Sequence, residues 1–179
     1  MREHAFSLLP SPADSPPAGL SLGGSLVRHG NGLAIHYVLS GQLEDLRIPA
    51  EACPPARLDG LWERTCFEFF LAVPGAEPYW EFNLSPAGHW NVYRLTGYRQ
   101  GLRPEAAYAD LEIEIRRGPS WLHLDLVCDL PPLAERDHLL EVGVCAVIEQ
   151  KNGVLSYWAL AHPGPQPDFH RRDGFLITL

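Results

Sequence analysis

The run Leu111-Glu112-Ile113-Glu114-Ile115-Arg116 alternates apolar and charged residues without a break. A period of two belongs to an extended chain with one buried face and one wet face, because successive strand side chains point to opposite sides. Trp121-Leu122-His123-Leu124-Asp125-Leu126 repeats the pattern, and Arg117-Gly118-Pro119-Ser120 supplies a turn between them, so the two runs are expected to form a hairpin. Leu33, Ile35, Tyr37 and Leu39 make a third apolar face, with His36 on its other side. Residues 63–71 set Thr65, Phe67, Phe69 and Leu71 against Arg64, Cys66, Glu68 and Phe70. Residues 79–85 set Trp80, Phe82 and Leu84 against Tyr79, Glu81, Asn83 and Ser85. Two further apolar, β-branched runs, 141–149 and 154–160, are joined by Gln150-Lys151-Asn152-Gly153, and Asn-Gly is the strongest short hairpin signal.

Helical periodicity is nearly missing. Pro131 to Asp137 and Ala106 to Ala109 each suit one short turn. Only Pro10 to Pro17 is compositionally biased, and 16 glycines with 17 prolines fit short strands joined by turns. These features predict one all-β domain over residues 1–179, an antiparallel β-sandwich of about ten or eleven strands, immunoglobulin-like or jelly-roll-like.

Composition narrows the partners. At 46% hydrophobic and 20% charged residues the chain has enough apolar surface for a core. A net charge of −8 repels phosphate backbones, so nucleic acid is not an expected partner. Cys53, Cys66, Cys128 and Cys145 form no CxxC pair, which argues against a zinc ribbon or a dithiol redox site. The N-terminal MREHAFSLLPSPADSPP has no apolar run of signal-peptide length, and no stretch of about 18 apolar residues marks a membrane span. The reading is a cytoplasmic chain with reduced thiols, making no membrane contact.

No nucleophile elbow, P-loop, dinucleotide fingerprint or HExxH motif occurs. Chemistry must therefore be sought in pattern. Alternation places Arg64, Glu68, Glu81 and Asn83 on the polar side of two successive strands. Such a face is either a solvated Arg–Glu cross-strand pair, worth a few tenths of a kcal/mol, or a hydrogen-bonding floor for hydroxyl groups. Of the tryptophans, Trp80 alternates with Phe82 and Leu84 as a core residue and Trp121 suits a sheet edge. Trp62 and Trp158 neighbour polar residues or a loop and are the candidates for stacking on a sugar face. The segment Ala161-His162-Pro163-Gly164-Pro165-Gln166-Pro167-Asp168-Phe169-His170 is braced by proline and presents His162, Asp168 and His170. Its spacing matches no known metal motif, and a cleft wall beside Trp158 is the better reading.

Trp62-Glu63-Arg64-Thr65-Cys66-Phe67-Glu68-Phe69-Phe70-Leu71, then Glu81-Phe82-Asn83-Leu84-Ser85-Pro86-Ala87-Gly88-His89-Trp90 and Tyr157-Trp158-Ala159-Leu160, resemble the DOMON-like and family 9 carbohydrate-binding-module superfamily. The likeness extends from about residue 30 onward. It implies a β-sandwich that binds a sugar or a haem. In sugar-binding relatives two Trp rings sandwich the saccharide over a floor of Glu, Arg and Asn. Trp62 and Glu68 fall at matching positions, with Trp158 taken as the second ring. In haem-binding relatives Met and His hold the iron, but the only methionine here is Met1, and a bis-His site from His36, His89, His123, His162 or His170 has no supporting spacing. No cofactor is expected.

Four readings follow, in order. The first is a non-catalytic module for a saccharide-like small molecule, using Trp62, Arg64, Glu68, Glu81, Asn83, Trp158, His162, Asp168 and His170. The second is an enzyme on a sugar derivative with Glu68 and Glu81 as an acid–base pair about 5 Å apart on adjacent strands. The third is a haem redox domain, and the fourth is a protein-interaction module with a flat apolar patch.

Overall fold

The computed structural model describes residues 3–131 and 139–179. Among them the chain forms β1 (Glu3–Pro10), β2 (Ser21–His29), β3 (Gly32–Ser40), β4 (Cys66–Ala72), β5 (Tyr79–Leu84), β6 (Trp90–Leu95) and β7 (Arg103–Pro104). There follow β8 (Ile113–Gly118), β9 (Trp121–Asp129), β10 (Glu141–Glu149), β11 (Leu155–Ala159) and β12 (Ile177–Thr178). Three short 3-10 turns, Leu43–Asp45, Leu61–Glu63 and Arg172–Gly174, are the helical elements among these residues. The short turn expected over Pro131 to Asp137 falls largely outside the described residues, while Ala106 and Ala107 do lie in a turn.

The strands pair antiparallel in the order β7-β6-β5-β4-β10-β11-β1-β2-β3-β9-β8. One strand makes the corner. Glu3 to Leu8 of β1 pair with β2, whereas Leu9 and Pro10 pair with β11. The path curls there into two layers, β1-β2-β3-β9-β8 against β7-β6-β5-β4-β10-β11. Where β11 has ended, β12 pairs with β10 at Glu141 and Val142.

Alternation explains the layers. Leu33, Ile35, Tyr37, Leu39, Leu122, Leu124 and Leu126 point inward from one layer, and Phe67, Phe69, Leu71, Trp80, Phe82 and Leu84 meet them from the other. Phe69 and Phe82 stack with ring centroids 4.3 Å apart. Burying each such side chain contributes about 1.5–3 kcal/mol. Tyr37, fully enclosed, satisfies its hydroxyl by donating to the Glu68 carbonyl at 2.7 Å. The β8–β9 and β10–β11 hairpins form as the sequence predicts. In the second, the Gly153 N–H donates to the Gln150 carbonyl at 2.9 Å, and Gly153 takes φ 86°, a conformation open to glycine and costly for a branched side chain.

The second layer departs from the alternating rule. Every residue of β4 and β5 is buried, on both faces. Its outer face carries a second apolar cluster of Phe70, Tyr79, Tyr93, Leu95, Cys145 and Phe175, with Phe169 packed on it. This face is roofed, and the roof makes the site.

Candidate functional site

Cross-strand register defines the floor. Glu68 of β4 lies opposite Cys145 of β10 and Asn83 of β5; Phe70 lies opposite Glu81, and Glu81 opposite Tyr93 of β6. Glu68, Glu81 and Asn83 therefore share one face, as alternation predicts. They do not share solvent: Glu68 is 2% exposed, Glu81 4% and Asn83 0%. The solvated reading of this face is thereby overturned for these three, because loops from distant parts of the chain cover them. The two glutamates are also diagonal, not opposite, so the expected 5 Å spacing gives way to a diagonal one of about 7–8 Å between Cα atoms.

Their hydrogen bonding is incomplete. The Asn83 side-chain amide donates to Glu81 Oε1 at 2.8 Å. The Cys145 thiol is 3.9 Å from Glu68 Oε2. Among the described residues no donor reaches Glu68 Oε1 or Glu81 Oε2. A buried carboxyl without donors resists ionisation. Burial pushes the Glu68 carboxyl well above the ordinary range, and the neighbouring Glu81 charge adds to it. Glu81 is raised by burial, against the opposing hydrogen bond from Asn83 and the charge of Arg99.

Three loops build the walls. Leu61–Glu63 follows Gly60 at φ 72° and holds Trp62 with its indole edge on Tyr93, ring centroids 5.8 Å apart. That turn is anchored upstream, where Asp59 accepts from the Tyr93 hydroxyl at 2.6 Å and Arg57 donates to Asn91 at 2.8 Å. The loop after β6 turns at Tyr98-Arg99, with Arg99 at φ 53°, which costs a non-glycine residue about 1 kcal/mol or more. The C-terminal segment then docks on that loop. Asp168 accepts from Arg99 Nη2 at 2.8 Å and from the Tyr98 hydroxyl. These bonds hold the Asp168 carboxyl below its usual range, despite partial burial.

His170 closes one end. Its Nδ1 shares a 2.8 Å hydrogen bond with the Tyr79 hydroxyl, and its Nε2 stands 3.9 Å from Glu81 Oε2, too far for a hydrogen bond. Burial, followed by the Arg99 charge, lowers His170 to about 4, so its imidazole is neutral at pH 7. The pocket bounded by these groups has a volume of about 340 Å³. Glu68, Glu81, His170 and Arg99 give it polar groups, and Trp62, Tyr157, Phe169, Leu95, Leu102, Val147 and Pro167 give it apolar walls.

Of the residues expected from sequence, Trp62, Glu68, Glu81 and His170 line this pocket. Asn83 orients Glu81 from beneath, and Asp168 fastens the wall. Three lie elsewhere. Trp158, expected as the second stacking ring, is 3% exposed, packed inside the core, its Nε1–H donating to Ser156 Oγ at 3.0 Å. The adjacent Tyr157 faces the pocket instead, because Val147, its partner in register, shares the Glu68 face. Arg64 is 66% exposed and 3.4 Å from Glu149. His162 shares a 2.9 Å hydrogen bond with the Leu9 carbonyl. Sequence reasoning missed Arg99, Leu102, Tyr157 and Phe169; only Phe169 lay in a segment already read as a cleft wall.

The proline-rich segment after β1 braces the edge of β11, where Ser11 N–H donates to the Tyr157 carbonyl and Asp14 accepts from the Tyr157 N–H at 2.7 Å. Of the five histidines weighed as a haem pair, His36 and His123 come together, ring centroids 5.1 Å apart, on the far layer. Among the described residues no group of three His, Cys, Asp or Glu side chains is placed to hold a metal ion. No helix there is long and apolar enough to cross a membrane.

No family model matches the sequence, and no curated protein matches it either. The crystal structure of a proposed carbohydrate-binding protein from Bacteroides uniformis ATCC 8492 is similar, with a TM-score of 0.67 and 15% identity over 96% of this chain and 83% of that one. The two chains share a fold. A family 9 carbohydrate-binding module from Caldicellulosiruptor kristjanssonii is similar in its glucose complex (TM-score 0.48, 12% identity, 80% of this chain and 69% of that one). The same is true of its cellotriose complex (TM-score 0.49, 11% identity, 84% and 71%).

Proposed function

We propose that the chain binds a saccharide-sized, hydroxylated small molecule in the pocket between Trp62 and His170. One observation carries this reading: two buried carboxyl groups, each with an oxygen that no described donor reaches, form the floor of an aromatic-walled pocket of about 340 Å³. Leaving such acceptors unpaired costs on the order of 1–3 kcal/mol each, a cost that ligand donors would offset. Sugar hydroxyls are suitable donors, and the C–H faces of a pyranose suit the Trp62, Tyr157 and Phe169 walls. The volume lies at the small end of the range for ligand sites, which favours one or two sugar rings over a polymer. The fold likeness to a proposed carbohydrate-binding protein supports the same class.

The test is a thermal-shift series on the full chain with mono- and disaccharides. A ligand at one hundred times its dissociation constant adds about 2.7 kcal/mol, which raises the midpoint by roughly 5–10 °C at this chain length. Shifts that vanish in Trp62→Ala support the reading. A folded protein unmoved by every sugar overturns it.

A further inference from the structure

We propose that the preferred ligand of this pocket carries an ammonium group, as in a sugar with a free amine, and that Glu68 and Glu81 receive it. This rests on the saccharide reading for the ring and goes beyond it for the charge.

Part of the charge in the pocket is already compensated. Among the described residues Arg99 is the one cation lining it, and Asp168 pairs with it at 2.8 Å. Asp168 takes a further donor in the Tyr98 hydroxyl, so this corner contributes a closed pair and little net charge. His170 is neutral near pH 7. What remains is acidic. Glu68 and Glu81 are more than nine-tenths buried, line the pocket, and each keeps one oxygen without a donor among the described residues. Their other polar neighbours are an amide, Asn83, and the thiols of Cys66 and Cys145, and the one positive charge felt at Glu81 is that of Arg99, which Asp168 already pairs.

Neutral hydroxyls would satisfy these oxygens as hydrogen-bond acceptors but leave the charge buried. An ammonium does both, with three N–H donors for two free oxygens. Two neighbouring buried carboxyls that repel each other's charge suit one monovalent cation. The walls agree, since a cation is attracted to the faces of Trp62, Tyr157 and Phe169, an interaction worth more in a desolvated site. A calcium ion fits less well, because it needs about six to eight oxygen ligands and the floor offers two free ones. The net charge of −8 also draws cations toward the surface.

The experiment is isothermal titration calorimetry of the full chain at pH 7.5 with four probes: glucosamine, glucose, N-acetylglucosamine and cyclohexylamine. Glucosamine and N-acetylglucosamine differ in whether the amine is charged, so their ratio reads the ammonium term on the unaltered protein. The expected result is glucosamine bound at least about tenfold tighter than either neutral sugar, a difference of about 1.4 kcal/mol. In Glu81→Gln and Glu68→Gln the glucosamine-to-glucose ratio should fall toward one. Glucose or N-acetylglucosamine bound as tightly as glucosamine overturns the ammonium proposal and leaves the saccharide reading standing. Cyclohexylamine bound while all three sugars fail supports the ammonium site and sinks the saccharide reading. Binding of none of the four overturns both.

Discussion

Glu68→Gln should make the protein more stable at pH 8 and leave it no more stable at pH 4.5. The side chain is 2% exposed, Oε1 meets no described donor, and Oε2 is met by the Cys145 thiol at 3.9 Å, a weak partner. Folding therefore favours the protonated carboxyl, and its folded pKa stands well above the ordinary 4.5. The sign follows from proton linkage. Above pH 4.5 the native state holds a proton that the unfolded chain has released, so stability falls as pH rises toward the folded pKa. An amide of nearly the same shape removes that dependence. A buried, incompletely bonded polar group costs on the order of 1–3 kcal/mol, more when it is charged, and the new amide hydrogens need acceptors of their own, which offsets part of the gain. A net gain of about 1–2 kcal/mol at pH 8 corresponds to a midpoint roughly 2–8 °C higher. His170 works in the opposite sense: held down to about 4, it contributes stability above its unfolded value of 6.5 that is lost as pH falls through about 4. It does so in both proteins, so the difference between them isolates the carboxyl. Scanning calorimetry of the two proteins from pH 4.5 to 8.5 is the assay. A midpoint difference that does not grow with pH, or a substituted protein that is the less stable at pH 8, would mean that folding does not favour the protonated Glu68 carboxyl.

Trp62→Ala should cost stability only about the 0.5–1.5 kcal/mol of its edge contact with Tyr93, while lowering sugar affinity tenfold or more; denaturant melts and calorimetry separate the two effects. Trp158→Phe should do the reverse. It gives up a bond to Ser156 and part of a filled core site, costing about 1–3 kcal/mol, with affinity changed by less than about threefold. Asp168→Asn opens the clasp between the C-terminal segment and Tyr98-Arg99. With Arg99 52% exposed the loss is near 1 kcal/mol, read as a midpoint about 2–4 °C lower, together with faster limited proteolysis between Pro163 and Arg171 and weaker ligand binding. Since the Asp168 pKa is depressed, this difference should be present above pH 3.8 and fade as the pH falls below it.

The fold was legible because its strands are written with a period of two and its hairpins with turn residues. The floor of the site came from the same source: alternation alone puts Glu68, Glu81 and Asn83 on one face, and that is where they are. Whether the face would be wet was not legible. Its cover comes from Trp62, from Tyr98-Arg99 and from the segment around Asp168, and the Arg99–Asp168 contact joins residues 69 apart in sequence. Nothing local in a strand records what a distant loop will lay over it. The exchange of Trp158 for Tyr157 has a more specific cause. Hairpin register links Tyr157 to Val147 and Trp158 to Ala146, so choosing between them requires knowing which face of β10 looks inward. Seven of its nine residues, Val142 to Ile148, are apolar or glycine, and a strand buried on both faces gives alternation nothing to mark. Arg99 escaped notice for the opposite reason, since its left-handed backbone occupies a turn position where the usual glycine or asparagine signal is missing. The part of the site built by strands was therefore readable in advance, and the part built by loops, which decides what the two carboxyls meet, was not.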